Sequence, residues 1–115
     1  MSDPVFSHPY LEGGRFAAFA HRGGGLENPE NSRRAFAAAV KMGYRYIETD
    51  VQASADGVVV CFHDDTVDRT TDGSGPAAAL DWAELRQLDG AYHERNERGE
   101  TPFRNSGIRL ASLEE

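Results

Sequence analysis

The feature that most constrains this chain is a hydrophobic period that changes twice within about 35 residues. Residues 15–20 hold a short apolar run, Phe16-Ala17-Ala18-Phe19-Ala20, set between Gly13-Gly14 and Gly23-Gly24-Gly25. That is the profile of a strand buried on both faces. Leu26 to Glu30 reads as loop, and Asn31 or Ser32 can cap a helix. Ala35, Phe36, Ala39 and Val40 then recur at helical spacing until Gly43 supplies the stop. From Tyr44 to Val51 the period becomes two: Tyr46, Glu48 and Asp50 share one face, and Ile47, Thr49 and Val51 the other. Strand, helix and strand in that order make a βαβ unit with parallel strands and a right-handed crossover, so the expected fold class is α/β.

With 115 residues the chain has room for one small domain. Its 12 Lys and Arg face 19 Asp and Glu, a net charge of −7, which repels phosphate backbones and anionic head groups. Nucleic acid is therefore a poor partner. The single cysteine, Cys61, cannot form an internal disulfide, and a reducing cytoplasm fits. The start, Met1-Ser2-Asp3-Pro4, lacks a basic stretch followed by an apolar one. No run approaches the roughly 20 apolar residues of a bilayer span, so neither an export signal nor a membrane span is expected.

Ala55-Asp56-Gly57 leads into Val58-Val59-Val60-Cys61-Phe62-His63, a further strand. A two-residue Asp-Gly turn between them predicts a tight hairpin in which Asp50 faces His63, placing the histidine on the face of both carboxylates. A wider loop through Ser54 would change that register. Asp64, Asp65, Asp68 and Asp72 lie in a turn-rich stretch that lacks the glycine and terminal glutamate of a calcium loop, and it reads as turn structure. Asp81 with Glu84 predicts a capping box, and Leu80 with Leu85 a hydrophobic staple, for a second helix ending at Gly90. About 91–109 reads as a polar excursion, and Ser112 as the start of a third helix.

Residues two apart on a strand point the same way at roughly 7 Å, so Glu48 and Asp50 can converge on one cation. An isolated pair of this kind is most often a solvated strand face. On a parallel strand covered by a crossover helix, however, two unpaired carboxylates would cost several kcal/mol, and they need a metal or a cationic partner. Oxygen-only ligands favour Mg²⁺ or Ca²⁺. His21 and Arg22 follow the first strand and His63 ends the third, at the strand ends where α/β folds hold their sites. Two imidazoles beside a divalent cation suit phosphodiester cleavage, and an adjacent arginine can grip a phosphate with two N–H groups.

Six ordered blocks resemble the glycerophosphodiester phosphodiesterase family: His21-Arg22-Gly23, Pro29-Glu30-Asn31-Ser32, Glu48-Thr49-Asp50-Val51, Asp56-Gly57, His63-Asp64 and Arg69-Thr70-Thr71-Asp72-Gly73. A weaker likeness returns at 110–115, where Ala111 and Ser112 replace the family's proline and threonine. The resemblance implies a TIM-type (β/α)8 barrel, of which this chain would be a truncated N-terminal portion. It also implies hydrolysis of glycerophosphodiesters to an alcohol and glycerol 3-phosphate with a divalent cation. His21 and His63 would be the acid–base pair, Arg22 a phosphate contact, and Glu48 and Asp50 metal ligands. In the family the substrate's own glycerol hydroxyl attacks phosphorus, which suits His21 as base and His63 as acid, or the reverse. The family's third carboxylate ligand would lie beyond Glu115. Two alternatives follow, a catalytically inactive truncated fragment and a related phospholipase of the same superfamily. A barrel needs roughly 250 residues, and open strand edges predict poor solubility or self-association of the isolated chain.

Overall fold

The structure, a computed structural model, describes residues 18–25 and 27–114. His8 and the first residues of the apolar run lie outside the described residues. β1 (Phe19–Ala20) pairs in parallel with β2 (Tyr46–Ile47), Phe19 against Tyr46 and Ala20 against Ile47, and α1 (Arg33–Lys41) connects them. The parallel βαβ unit expected from the sequence is thus present. Ser32 is the helix cap: its hydroxyl accepts the Ala35 N–H at 3.1 Å. Ala35 and Ala39 are buried as the spacing predicts, but Val40 is 63% exposed. Phe19 is 50% exposed, so β1 is not covered on both faces as expected.

The strand expected over residues 44–51 is broken. β2 stops at Ile47 and the chain resumes as β3 (Val51–Ala53) in a different sheet, with β4 (Val59–Cys61) and β5 (Ala111–Ser112) in antiparallel order β3-β4-β5. Glu48, Thr49 and Asp50 fall in the gap between the two sheets. The hairpin register also differs from the expectation. Val51 pairs with Cys61 and Ala53 with Val59, and the Phe62 N–H donates to the Asp50 carbonyl at 2.9 Å, so Asp50 lies opposite Phe62 rather than His63. The cause is the wider loop. Gly57 takes φ +84° with its N–H on the Ser54 carbonyl, and the Ser54 hydroxyl accepts the Val58 N–H at 2.9 Å. Three residues therefore turn the chain where two were expected, and a slip of one reverses the face deduced from parity.

The core is built on β4. Val60, Phe62, Val67, Ala77, Leu85 and Leu110 are buried together, with Leu80, Trp82 and Leu88 packed against them. α2 (Trp82–Leu85) is shorter than the sequence predicts. The Asp81 side chain makes no capping bond, and the Trp82 N–H goes instead to Asp56 Oδ1 at 3.0 Å. Beyond Leu85 the Gln87 and Leu88 N–H groups bond three residues back, which tightens the helix into turns. Ala111 and Ser112 pair with Cys61 and Val60 as a strand rather than opening a helix. β5 supplies backbone partners to the side of β4 that faces away from β3, and Leu110 and Ala111 are buried there. The polar excursion is mostly exposed but anchored. Buried Asp89 accepts the Ala91 and Asn105 N–H groups, and the Arg104 guanidinium lies 4.1 Å over the Tyr92 ring.

Candidate active site

His21 and Arg22 occupy a tight turn directly after β1. The Gly23 N–H donates to the Glu48 carbonyl at 3.1 Å, which ties this turn to the end of β2. Arg22 itself has φ +51°, a strained value for a residue with a side chain. Its backbone N–H donates to Glu48 Oε2 at 2.9 Å, and His21 Nε2 lies 3.7 Å from the same oxygen. Asp50 Oδ2 stands 3.9 Å from Arg22 Nε and accepts the Asn31 amide at 3.2 Å. The two carboxylates therefore meet around Arg22, although strand parity is not what aligns them.

His63 reaches the same place by another route. Past β4 the chain leaves the ladder, and the Gln52 side-chain amide donates to the Phe62 and Asp64 carbonyls at 3.2 and 2.6 Å, pinning the peptide units on either side of His63. The ring then joins Arg22 Nη2 at 2.9 Å through Nε2, and Asp64 Oδ1 at 2.7 Å through Nδ1. All five residues singled out in the sequence, His21, Arg22, Glu48, Asp50 and His63, thus belong to one connected cluster.

Sequence reasoning missed four neighbours. Glu30 bonds Arg22 at 3.1 Å and accepts both terminal nitrogens of Arg69 at 2.8 and 3.0 Å. Asn31, weighed only as a helix cap, bridges Asp50 and the Thr49 hydroxyl. Asp64, read as a turn residue, pairs with His63 and with Arg69 Nε at 2.7 Å. Hydrogen bonds from Arg69 first and His63 second hold the Asp64 carboxyl down to about 2. The same contacts raise the affinity of Arg69 for its proton, Asp64 contributing before Glu30. The sequence signal for these residues was their presence in the family-like blocks, which carried no geometry.

One polar atom at the centre is orphaned. Arg22 Nε is buried and has no hydrogen-bond partner among the described residues, so an acceptor oxygen placed there would relieve a desolvation cost. For a metal the donor set is small. Among the described residues no group of three or more His, Cys, Asp or Glu side chains is placed to hold an ion. Glu48 and Asp50 offer the carboxylate oxygens that a hard divalent cation takes, and two such groups leave the rest of its shell to water or substrate oxygens.

Solved structures put this arrangement in the class of TIM-barrel enzymes, of which the chain superposes on a part. The glycerophosphoryl diester phosphodiesterase domain of a Mycobacterium tuberculosis protein matches with a TM-score of 0.81 at 32% identity, over 84% of this chain and 36% of that one. An Oleispira antarctica phosphodiesterase, solved with the product sn-glycerol-3-phosphate, matches with a TM-score of 0.70 at 35% identity, over 83% and 36%. The sequence profile of the glycerophosphoryl diester phosphodiesterase family matches residues 21–115. The chain belongs to that family. A relative named glycerophosphodiester phosphodiesterase 1 from Rattus norvegicus is 46% identical over 81 residues, 70% of this chain and 24% of the relative. The chain thus spans about a quarter of that relative's length. Among the described residues no helix is long and apolar enough to cross a membrane.

Proposed function

We propose that this chain carries the acid–base and phosphate-binding half of a glycerophosphodiester phosphodiesterase, which hydrolyses its substrate to an alcohol and glycerol 3-phosphate. The observation that carries the reading is Arg22 Nε, buried without a hydrogen bond among the described residues and 3.9 Å from Asp50, in a residue whose Nη2 meets His63 and whose backbone N–H holds Glu48, the carboxylate that His21 approaches. A phosphodiester oxygen satisfies that donor, and the planar guanidinium holds it in a fixed orientation. Glu48 and Asp50 would repel the same phosphate unless their charge is offset. A divalent cation held by both, Mg²⁺ or Ca²⁺, supplies that neutralisation when bound.

His21 and His63 then divide the proton traffic. One ring takes the proton of the attacking glycerol hydroxyl as its oxygen bonds phosphorus; the other gives a proton to the alcohol oxygen as its bond to phosphorus breaks. A water molecule opens the resulting cyclic phosphate to glycerol 3-phosphate with the two roles exchanged. The partner is a small molecule. Support for its class comes from the family membership and from the product held by the Oleispira antarctica enzyme.

A second reading is a catalytically inert chain that keeps phosphate or cation binding. It is favoured by the absence, among the described residues, of a third side chain joining Glu48 and Asp50 as a ligand. Incubating the purified chain with glycerophosphocholine and Mg²⁺ or Ca²⁺ separates the two. Release of glycerol 3-phosphate that is abolished by a chelator and by His21→Ala supports the enzyme, whereas a folded chain without turnover supports the inert reading.

A further inference from the structure

Five charged or titratable side chains close into a ring. Arg22 Nη2 meets His63 Nε2 at 2.9 Å, and Arg22 Nη1 donates to Glu30 Oε2 at 3.1 Å. Glu30 accepts Arg69 through both oxygens. Arg69 grips Asp64 through Nε at 2.7 Å and Nη2 at 3.1 Å, and Asp64 Oδ1 returns to His63 Nδ1 at 2.7 Å. Each carboxylate therefore stands between two cationic or N–H-bearing groups, and the His63 ring is held at both nitrogens.

The ring decides where the imidazole proton sits. A guanidinium has five donors and no acceptor, so in its contact with Arg22 the Nε2 atom of His63 must accept. The ring proton then belongs on Nδ1, from which it is donated to Asp64, and the bond made by one nitrogen fixes the state of the other. Asp64 suits this role because it is an ionised acceptor, its carboxyl held down to about 2 by Arg69 foremost and by His63 next. The hydrogen bonds of Arg69 among the described residues go to Asp64 and Glu30 rather than to an imidazole. It orients the carboxylate bonded to Nδ1 and, through Glu30, the guanidinium bonded to Nε2.

We propose that Arg69 is a positioning residue for His63: by clamping Asp64 and Glu30 it selects the Nδ1–H tautomer and turns the Nε2 lone pair toward Arg22. This deepens the phosphodiesterase reading and rests on it, since there His63 exchanges a proton, and with Nδ1 bonded to Asp64 the exchanging nitrogen is Nε2. When Arg22 turns its N–H groups onto a phosphate, Nε2 is released to take up or deliver a proton while Asp64 and Arg69 keep the ring in place. The same carboxylate stabilises the imidazolium that forms.

Long-range ¹⁵N–¹H correlation spectra of the histidine rings test the proposal on the 115-residue chain without substrate or metal. They are recorded at about pH 8.5, two units above the ordinary histidine pKa, and His63 is identified by the signals lost in His63→Gln. The wild-type ring is expected as the Nδ1–H tautomer. Arg69→Gln should lower its ratio to the Nε2–H form by about tenfold, the worth of one charge-assisted hydrogen bond. Arg69→Lys, with its charge but without its fork, should fall between. Asp64→Asn, whose amide can present an N–H to Nδ1, should also favour the other tautomer. An Nε2–H ring in the wild type overturns the proposal whatever the variants do, and so does an Arg69→Gln ring indistinguishable from wild type. Hydrolysis is read separately. An Nδ1–H ring in a chain without turnover leaves the role of Arg69 standing and removes the activity, and an Nε2–H ring in an active chain does the reverse.

Discussion

The turn that carries His21 and Arg22 depends on a glycine that a methyl group should displace. Gly23 has φ +72°, and a Cβ there would lie 2.5 Å from Phe36 Cδ1 and 2.7 Å from Cε1. Gly24 has φ +94°, and a Cβ there would meet nothing within 4 Å. Both Gly→Ala replacements bear the left-handed backbone cost of about 1–2 kcal/mol and the same gain from a stiffer unfolded chain. Only Gly23→Ala also forces the Phe36 ring aside, which adds about 1–3 kcal/mol as overpacking. The difference between the two variants therefore isolates the contact. Urea unfolding followed by circular dichroism, at matched m values, should find Gly23→Ala less stable than Gly24→Ala by about 1–3 kcal/mol. Phe36→Leu in the Gly23→Ala background should recover much of that gap. Equal losses in the two single variants, within about 0.5 kcal/mol, would refute the close packing of the turn on α1.

Leu85, 1% exposed in the β4 core, should cost about 2–5 kcal/mol when replaced by Ala, measured in the same urea melts. The lowered carboxyl of Asp64 predicts acid sensitivity. Its contribution is fully present above its unfolded value of 3.8 and is lost as the pH falls toward about 2. Because Asp64 and Arg69 are partly exposed, the stability gap between wild type and Arg69→Gln should narrow by about 1 kcal/mol between pH 5 and pH 2.5. Phe19, Met42 and Tyr44, all exposed, border a cavity of about 490 Å³ beside β1 and α1. That apolar surface predicts self-association, and a single monomer boundary in sedimentation velocity across the soluble concentration range would count against it.

What was legible in the sequence followed from periodicity. Ala35 and Ala39 sit where helical spacing places them, and Phe19 meets Tyr46 as a βαβ unit demands. Legibility failed where a loop or a side-chain contact outweighed local pattern. Gly57 in a left-handed conformation widened the hairpin by one residue, which moved Asp50 from His63 to Phe62. The Trp82 N–H went to Asp56 rather than to the Asp81 and Glu84 capping box. Ala111 and Ser112 pair with β4 on the side away from β3 instead of following helix signals. The candidate cluster was legible at strand ends, where His21, Arg22, Glu48 and Asp50 could be argued from position. Glu30, Asp64 and Arg69 stand on irregular backbone, and their partners lie as many as 39 residues away, so no spacing rule reaches them. His63 itself was placed in the cluster for a reason that did not hold. The Gln52 clamp, not ladder parity, delivers it.

The most direct test of the account is a calorimetric titration of the chain with sn-glycerol 3-phosphate, with and without Mg²⁺ and in Arg22→Met. Saturable binding that Mg²⁺ tightens and that Arg22→Met weakens at least about tenfold, the worth of a charged hydrogen bond to phosphate, is the predicted result. A folded chain giving no saturable heat, or equal affinity with and without the Arg22 guanidinium, would contradict the claim that these residues form one phosphate site.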